Sequence, residues 1–349
     1  MKELKFGRML RAAVAFVLVG ALAACGGGGG SEESLRTDET IVFKLAFNQT
    51  EQHPQYLAGV EFGKLLEEAT DGRYAVDVYP NDQLGGQQDA VQNLRDGSIE
   101  LMWIGGALME SFNTDFGVFN QPYIFASPEA QTAVLSDERL VGDLYDSLAD
   151  SHEITVLTGV FAGVRNIYNS SHPIRTPEDM NGLKIRIQQS DSQVRMIEGM
   201  GGIPSPMAFS EIYSALQTGV LDGAENNETV FNAMKHDEVA KYYSYTRHLI
   251  IPDYLLMSTR VLEGMSEEDQ ETLLELMPQV RDVANDFDAF VEESLEKSEA
   301  TGAQFNDDVD IDAFRERLRP MLEEAVSENE VRKALFAGVE KANRQHPAK

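Results

Sequence analysis

The chain has 349 residues, 42% of them hydrophobic, and a formal net charge of −29. That length holds two cores and that composition is globular rather than disordered, while the acid excess leaves no basic footprint for nucleic acid. The only cysteine, Cys25, excludes an internal disulfide, thiol catalysis and a cysteine-built zinc site.

Residues 1–24 read as a lipoprotein signal peptide. Lys2, Lys5, Arg8 and Arg11 make a basic start, and Ala12 to Ala24 is apolar but too short for a spanning helix. Leu22-Ala23-Ala24-Cys25 matches a lipoprotein cleavage site, which assigns Cys25 the lipid and the new N-terminus. Residues 25–38, opened by five glycines, form a flexible tether.

Ile41–Phe47 alternates and is rich in β-branched and aromatic residues, so it is a strand. Gln55–Ala69 is an amphipathic helix with Tyr56, Val60, Leu65 and Leu66 inward. A strand at Tyr74–Tyr79, a helix that follows Gly85-Gly86 and runs to Asp96, and a strand at Ile99–Ile104 come next. This β-α-β-α-β order predicts a parallel, doubly wound sheet with ligands beyond the carboxyl ends of its strands. Those ends carry Asn48, Tyr79 with Asn81, and Trp103 with Gly105.

Helices are expected near Pro128–Leu135 and Glu138–Asp150, then a strand at Thr155–Phe161 leading to Arg165–Asn169. The chain is expected to cross to a second lobe near Gly163. Thr176-Pro177-Glu178-Asp179 opens a short helix that Gly182 stops. Leu183, Ile185 and Ile187 alternate with Lys184, Arg186 and Gln188, a strand that puts Arg186 and Gln188 on one face. Ser190-Asp191-Ser192-Gln193 is a capping box. A cationic strand end therefore meets the free N–H groups of a helix start, which suits a carboxylate.

GLKIR, followed by PSPMAFSEIYSALQTGVLDGAEN from Pro204 to Asn226, resembles the solute-binding component of tripartite ATP-independent (TRAP) transporters. The similarity runs from about Ile41 to the C-terminal helices. It implies capture of a small organic acid outside the membrane and delivery to integral membrane subunits, with no reaction in the receptor. It also implies that Arg186 and Asn226 meet the carboxylate, that Arg165 is a second arginine, and that Phe209 stacks over the ligand. The implied fold is α/β, a two-lobe periplasmic-binding-protein-like fold (type II) with doubly wound sheets, a hinge and a long helix across both lobes. The expected division is 39–162 plus about 252–285 for lobe I, and 163–251 plus about 286–345 for lobe II. A long strand at Arg247–Ser258 is expected to be the return crossing, and Ser266 to Ala300 one long acidic helix.

Further candidates come from position. Gln188 shares a face with Arg186. Asn227 is a turn residue or a hydroxyl contact. Trp103 at a strand end reads equally as a stacking platform or as core. His53, Asn48 and Gln87 sit at element ends of the first lobe. Tyr213 and His248 fit the core or hinge as well as a ligand. The serine elbow, zinc-protease, P-loop and dinucleotide patterns are missing, so no catalytic residue, cofactor or metal is assigned. Among acids, RIQQSDS and DGAENN resemble the sugar-acid binders, which makes a hexuronate the first choice. C4-dicarboxylates, keto acids, sialic acid, or service to an ATP-driven importer are the alternatives.

Overall fold

The computed structural model describes residues 36–37 and 39–348; the signal stretch, Cys25 and most of the tether lie outside them. Eleven strands are described: β1 (Ile41–Ala46), β2 (Tyr74–Tyr79), β3 (Leu101–Gly105), β4 (Ile154–Phe161), β5 (Arg165–Asn169), β6 (Lys184–Ile187), β7 (Ile203–Pro206), β8 (Gly223–Asn226), β9 (Tyr242–Leu249), β10 (Pro252–Ser258) and β11 (Gln304–Asn306). They form two sheets, of order β2-β1-β3-β10-β4 and β11-β9-β5-β8-β6-β7.

Each sheet has the same core arrangement. In the first, β1 pairs in parallel with both β2 and β3. In the second, β6 pairs in parallel with both β7 and β8. The chain leaves β1 toward one side and returns on the other, and does the same around β6. Each such reversal opens a crevice beyond the carboxyl ends of the strands. The two crevices share one cavity.

The apolar run Leu101–Gly105 is buried throughout, as a strand covered on both faces must be. Met102 and Ile104 join one apolar cluster, and Leu101 and Trp103 join the cluster on the opposite face. The second sheet likewise separates Ile185, Ile187 and Ile167 from Tyr168, Ala224 and Tyr243.

Several sequence expectations are corrected. Helix Pro54–Ala69 turns Ala58, Phe62 and Leu66 inward with Gly59 and Gly63, while Tyr56, Val60 and Leu65 stay half-exposed. The glycines let the helix lie directly on β2: a Cβ at either would come within 3.1 Å of Val78 or Val76. The long strand at Arg247–Ser258 is two strands, one in each sheet. The break at Ile250–Ile251 precedes Pro252, which has no N–H, and is itself the return crossing. β10 runs antiparallel between β3 and β4, so the first sheet is mixed.

The long acidic helix is three pieces, Glu267–Glu275, Met277–Ala284 and Asp288–Ala300. Pro278 opens the second piece, and just past its end the Asn285 side chain accepts from the Phe161 N–H at 2.8 Å. Met277–Ala284 packs on helix Pro54–Ala69 of the first lobe, and Asp288–Ala300 on helix Glu228–Ala233 of the second. The final helix, Glu330–Gln345, packs on the first lobe. Its Leu335, Phe336, Val339 and Ala342 belong to the apolar cluster of the first sheet.

Candidate functional site

The cavity lies between the two strand reversals. The first lobe contributes Asn48 past β1, Asp82 past β2, Gly86 to Asp89 at the start of helix Gln87–Arg95, and Leu108. The second contributes Arg186, Gln188 and Gln189 at the end of β6, and Met207 to Ser210 past β7. The cavity volume is about 130 Å³.

Arg186 is the central group. It is only 3% exposed. Its Nε and Nη2 both donate to the Met207 carbonyl oxygen, at 3.0 and 2.8 Å, and its buried Nη1 has no partner. Burial pulls its pKa down to about 10, with Glu225 resisting and Arg165 assisting, so it stays charged at neutral pH. The Phe209 ring lies 6.0 Å from the guanidinium carbon, at the edge of cation–π range. A buried cation with a free donor on a cavity wall is a receptor for an anion.

Gln188 is held by its neighbour Gln193. Gln193 Oε1 accepts from the Gln188 N–H at 2.8 Å, and Gln193 Nε2 donates to Gln188 Oε1 at 3.2 Å. Ser190 Oγ caps the helix that follows by accepting from the Gln193 N–H, but the expected capping box is not completed, because Gln193 Oε1 takes the Gln188 N–H instead of that of Ser190. The free Nε2 end of Gln188 reaches across to Gly105 of the first lobe, 2.4 Å from where a Cβ would stand. Gln88 Nε2 donates to Gln189 Oε1 across the mouth.

Five of the named candidates line this cavity: Asn48, Gln87, Arg186, Gln188 and Phe209. The others sit elsewhere. Arg165 is buried behind it, with Nε and Nη2 on the Glu225 carboxylate at 2.5 and 2.7 Å, Nη2 also on the Glu225 carbonyl, and Nη1 on Asn226 Oδ1. Burial opposes the Glu225 charge, but Arg165 outweighs it and holds the carboxyl at about 2. The two form a neutral pair. Asn226 spends its oxygen on Arg165 and the Asn227 N–H. Asn227 is a cap: its Oδ1 accepts from Val230 N and Thr229, and its Nδ2 donates to the Ala162 carbonyl, pinning the crossing at Gly163.

His53 caps helix Pro54–Ala69 through Nδ1 and lies among Phe47, Phe287 and Phe290; burial lowers its pKa to about 3, so it is neutral. His248 is fully buried beside Thr246, its Nε2 3.6 Å from Glu225. Tyr213 donates to Glu238, away from the cavity. Trp103 is core, 1% exposed, on the face of β3 that packs under helix Pro54–Ala69. Strand alternation sends it there, away from the strand end where ligand would sit.

Sequence reasoning missed Asp82, Gln88, Gln189 and the Met207 carbonyl, and missed Glu225 as the partner of Arg165. Only Glu225 left a signal: an acid inside a buried strand needs a cation.

Two lobes, each with a strand reversal, around a buried guanidinium define a two-lobe receptor for a small anion. The family model "Bacterial extracellular solute-binding protein, family 7" matches residues 45–329, and the chain belongs to that family. A solute-binding protein of Chromohalobacter salexigens is 35% identical over 295 residues, covering 83% of this chain and 86% of that protein. The C4-dicarboxylate-binding periplasmic protein of Rhodobacter capsulatus is 32% identical, covering 71% and 74%. Among solved structures, a TRAP periplasmic solute-binding protein of Anaerococcus prevotii with bound D-glucuronate is 35% identical. It superposes with a TM-score of 0.84 over 88% of this chain and 99% of its own. One from Sulfitobacter with bound β-D-galacturonate is 32% identical, with a TM-score of 0.79 over 86% and 100%. This protein is thus an extracytoplasmic TRAP-type solute receptor, not an enzyme, and works with membrane transporter subunits. Among the described residues no helix is long and apolar enough to cross a membrane.

Proposed function

We propose that this receptor captures a hexuronate, D-glucuronate or D-galacturonate, and hands it to a TRAP transporter. The observation that carries the reading is Arg186, a buried guanidinium lining the cavity whose Nη1 has no partner. A uronate carboxylate takes that donor, while the amides of Asn48, Gln87 and Gln188 offer both donors and acceptors to the ring hydroxyls. Phe209 supplies an apolar face for the sugar ring. Relatives solved with bound glucuronate and galacturonate support the same choice. Arg165 acts from behind, holding Glu225 and Asn226 in place.

Ligand favours the closed form because only then do both lobes touch it. The crossings at Ala162–Val164, Ile250–Ile251 and Asn285–Phe287 are the hinge. Cys25 carries the lipid that keeps the receptor at the outer face of the membrane, as the Leu-Ala-Ala-Cys motif implies.

A thermal-shift screen of hexuronates, C4-dicarboxylates, keto acids and sialic acid tests this. Ligand at about 100 times its Kd adds about 2.7 kcal/mol. The reading requires the uronates to give the largest shift; a larger shift with succinate or malate contradicts it. Mass spectrometry of the membrane-extracted protein tests the anchor, which requires a diacylglycerol mass on a peptide beginning at Cys25.

A further inference from the structure

The cavity is electrically lopsided. Its second-lobe wall carries the cation, Arg186. Its first-lobe wall carries Asp82, with Asp89 at the exposed rim. These three are the charged side chains on the lining among the described residues.

Asp82 is placed by its backbone. Asn81 and Asp82 both take left-handed conformations, with φ of 55° and 56°, which Asn and Asp tolerate better than other side chains. The Asn81 N–H donates to the Gln49 carbonyl at 2.9 Å, and the Asp82 N–H to the Phe47 carbonyl at 3.1 Å. The turn is thereby tied to the end of β1. The half-buried carboxylate has no hydrogen-bond or ion-pair partner among the described residues, and burial alone raises its pKa to about 6. Above neutral pH it is mostly charged.

A carboxylate of this kind accepts hydrogen bonds from hydroxyl groups and repels a second carboxylate. The rest of a ligand whose acid group meets Arg186 extends toward the opposite wall. Resting on the hexuronate reading, we propose that Asp82 is a specificity determinant: it makes the site one for polyhydroxy monocarboxylates and rejects diacids of the same length. A relative of this chain is a C4-dicarboxylate-binding protein, so diacids are ligands elsewhere in the family.

The experiment is calorimetric titration of the full protein, at about pH 8, with D-glucuronate and D-galacturonate against the matching diacids D-glucarate and galactarate. Wild type binds the uronates at least about tenfold tighter than the diacids, the scale of one like-charge contact in a partly wet site. Asp82→Asn lowers that preference at least about tenfold, through weaker uronate binding and stronger diacid binding together. Asp82→Gly, which takes the same left-handed backbone without strain, does the same and guards against a turn distorted by the first variant. A preference unchanged in both variants, or a wild type that takes diacids as tightly as uronates, overturns the role of Asp82 while leaving the uronate reading standing. Failure of wild type to bind either uronate overturns both.

Discussion

Arg186 gives two nitrogens to a single acceptor, the Met207 carbonyl oxygen, and keeps the third buried and unpartnered. One carbonyl does not offset the removal of a guanidinium from water. The empty site therefore carries a cost that binding relieves. Arg186→Met should make the ligand-free protein more stable, by about 1–2 kcal/mol in urea denaturation. A ligand-free variant clearly less stable than wild type would mean that the cation is already satisfied.

The pair behind it behaves oppositely. Glu225→Gln leaves Arg165 buried without its counter-charge and should cost about 3–5 kcal/mol at neutral pH. Glu225 has a folded pKa of about 2, below its ordinary 4.5. Its contribution is thus complete above pH 4.5 and is lost as pH falls through 2. The stability gap between wild type and Glu225→Gln should stay constant from neutral pH to about 5 and shrink below that. A gap that does not change down to about pH 3 would remove the ion pair as its cause.

Gly105 is a contact between lobes. A Cβ there would meet Gln188 Nε2 at 2.4 Å and approach Asp253 Oδ1 at 3.7 Å. The backbone at Gly105 has φ of −65°, so alanine is not strained locally. Gly105→Ala should weaken uronate binding about 3- to 30-fold with little change in stability, an effect of about 0.7–2 kcal/mol. Adding Gln188→Ala removes the collision, so the double variant should lose less than the sum of the two single losses. Strict additivity would place the effect outside the Gly105–Gln188 contact.

Trp103 is the sole tryptophan, and its position in the first-lobe core sets its fluorescence. Emission should be blue-shifted, resistant to iodide and little changed by saturating uronate. Strong quenching by ligand would put the indole at the cavity instead.

What was legible in the sequence was local. The alternation of Leu183 to Gln188 placed Arg186 and Gln188 on one strand face, and both line the cavity; the helix start beside them does not, because its Ser192 and Gln193 N–H groups go to Glu110 and Ser190 Oγ. β7 and β8 were invisible because Pro204, Pro206 and Gly223 mask a strand; the prolines are tolerated because β7 is a sheet edge. The Arg165–Glu225 pair depends on β5 lying beside β8, a register that spacing along the chain does not encode. Trp103 and His53 were ambiguous because a strand end and a helix cap lie near both core and cleft. Asp82 escaped notice because its direction follows from a left-handed turn, which hydrophobic periodicity does not report.

The most direct test is calorimetric titration of D-glucuronate and D-galacturonate into wild type and Arg186→Ala. The account predicts one uronate bound per chain, with affinity lost by at least about a hundredfold in Arg186→Ala and not restored in Arg186→Lys, which lacks the planar fork. Binding within threefold of wild type in Arg186→Ala, with the protein still folded, would contradict it.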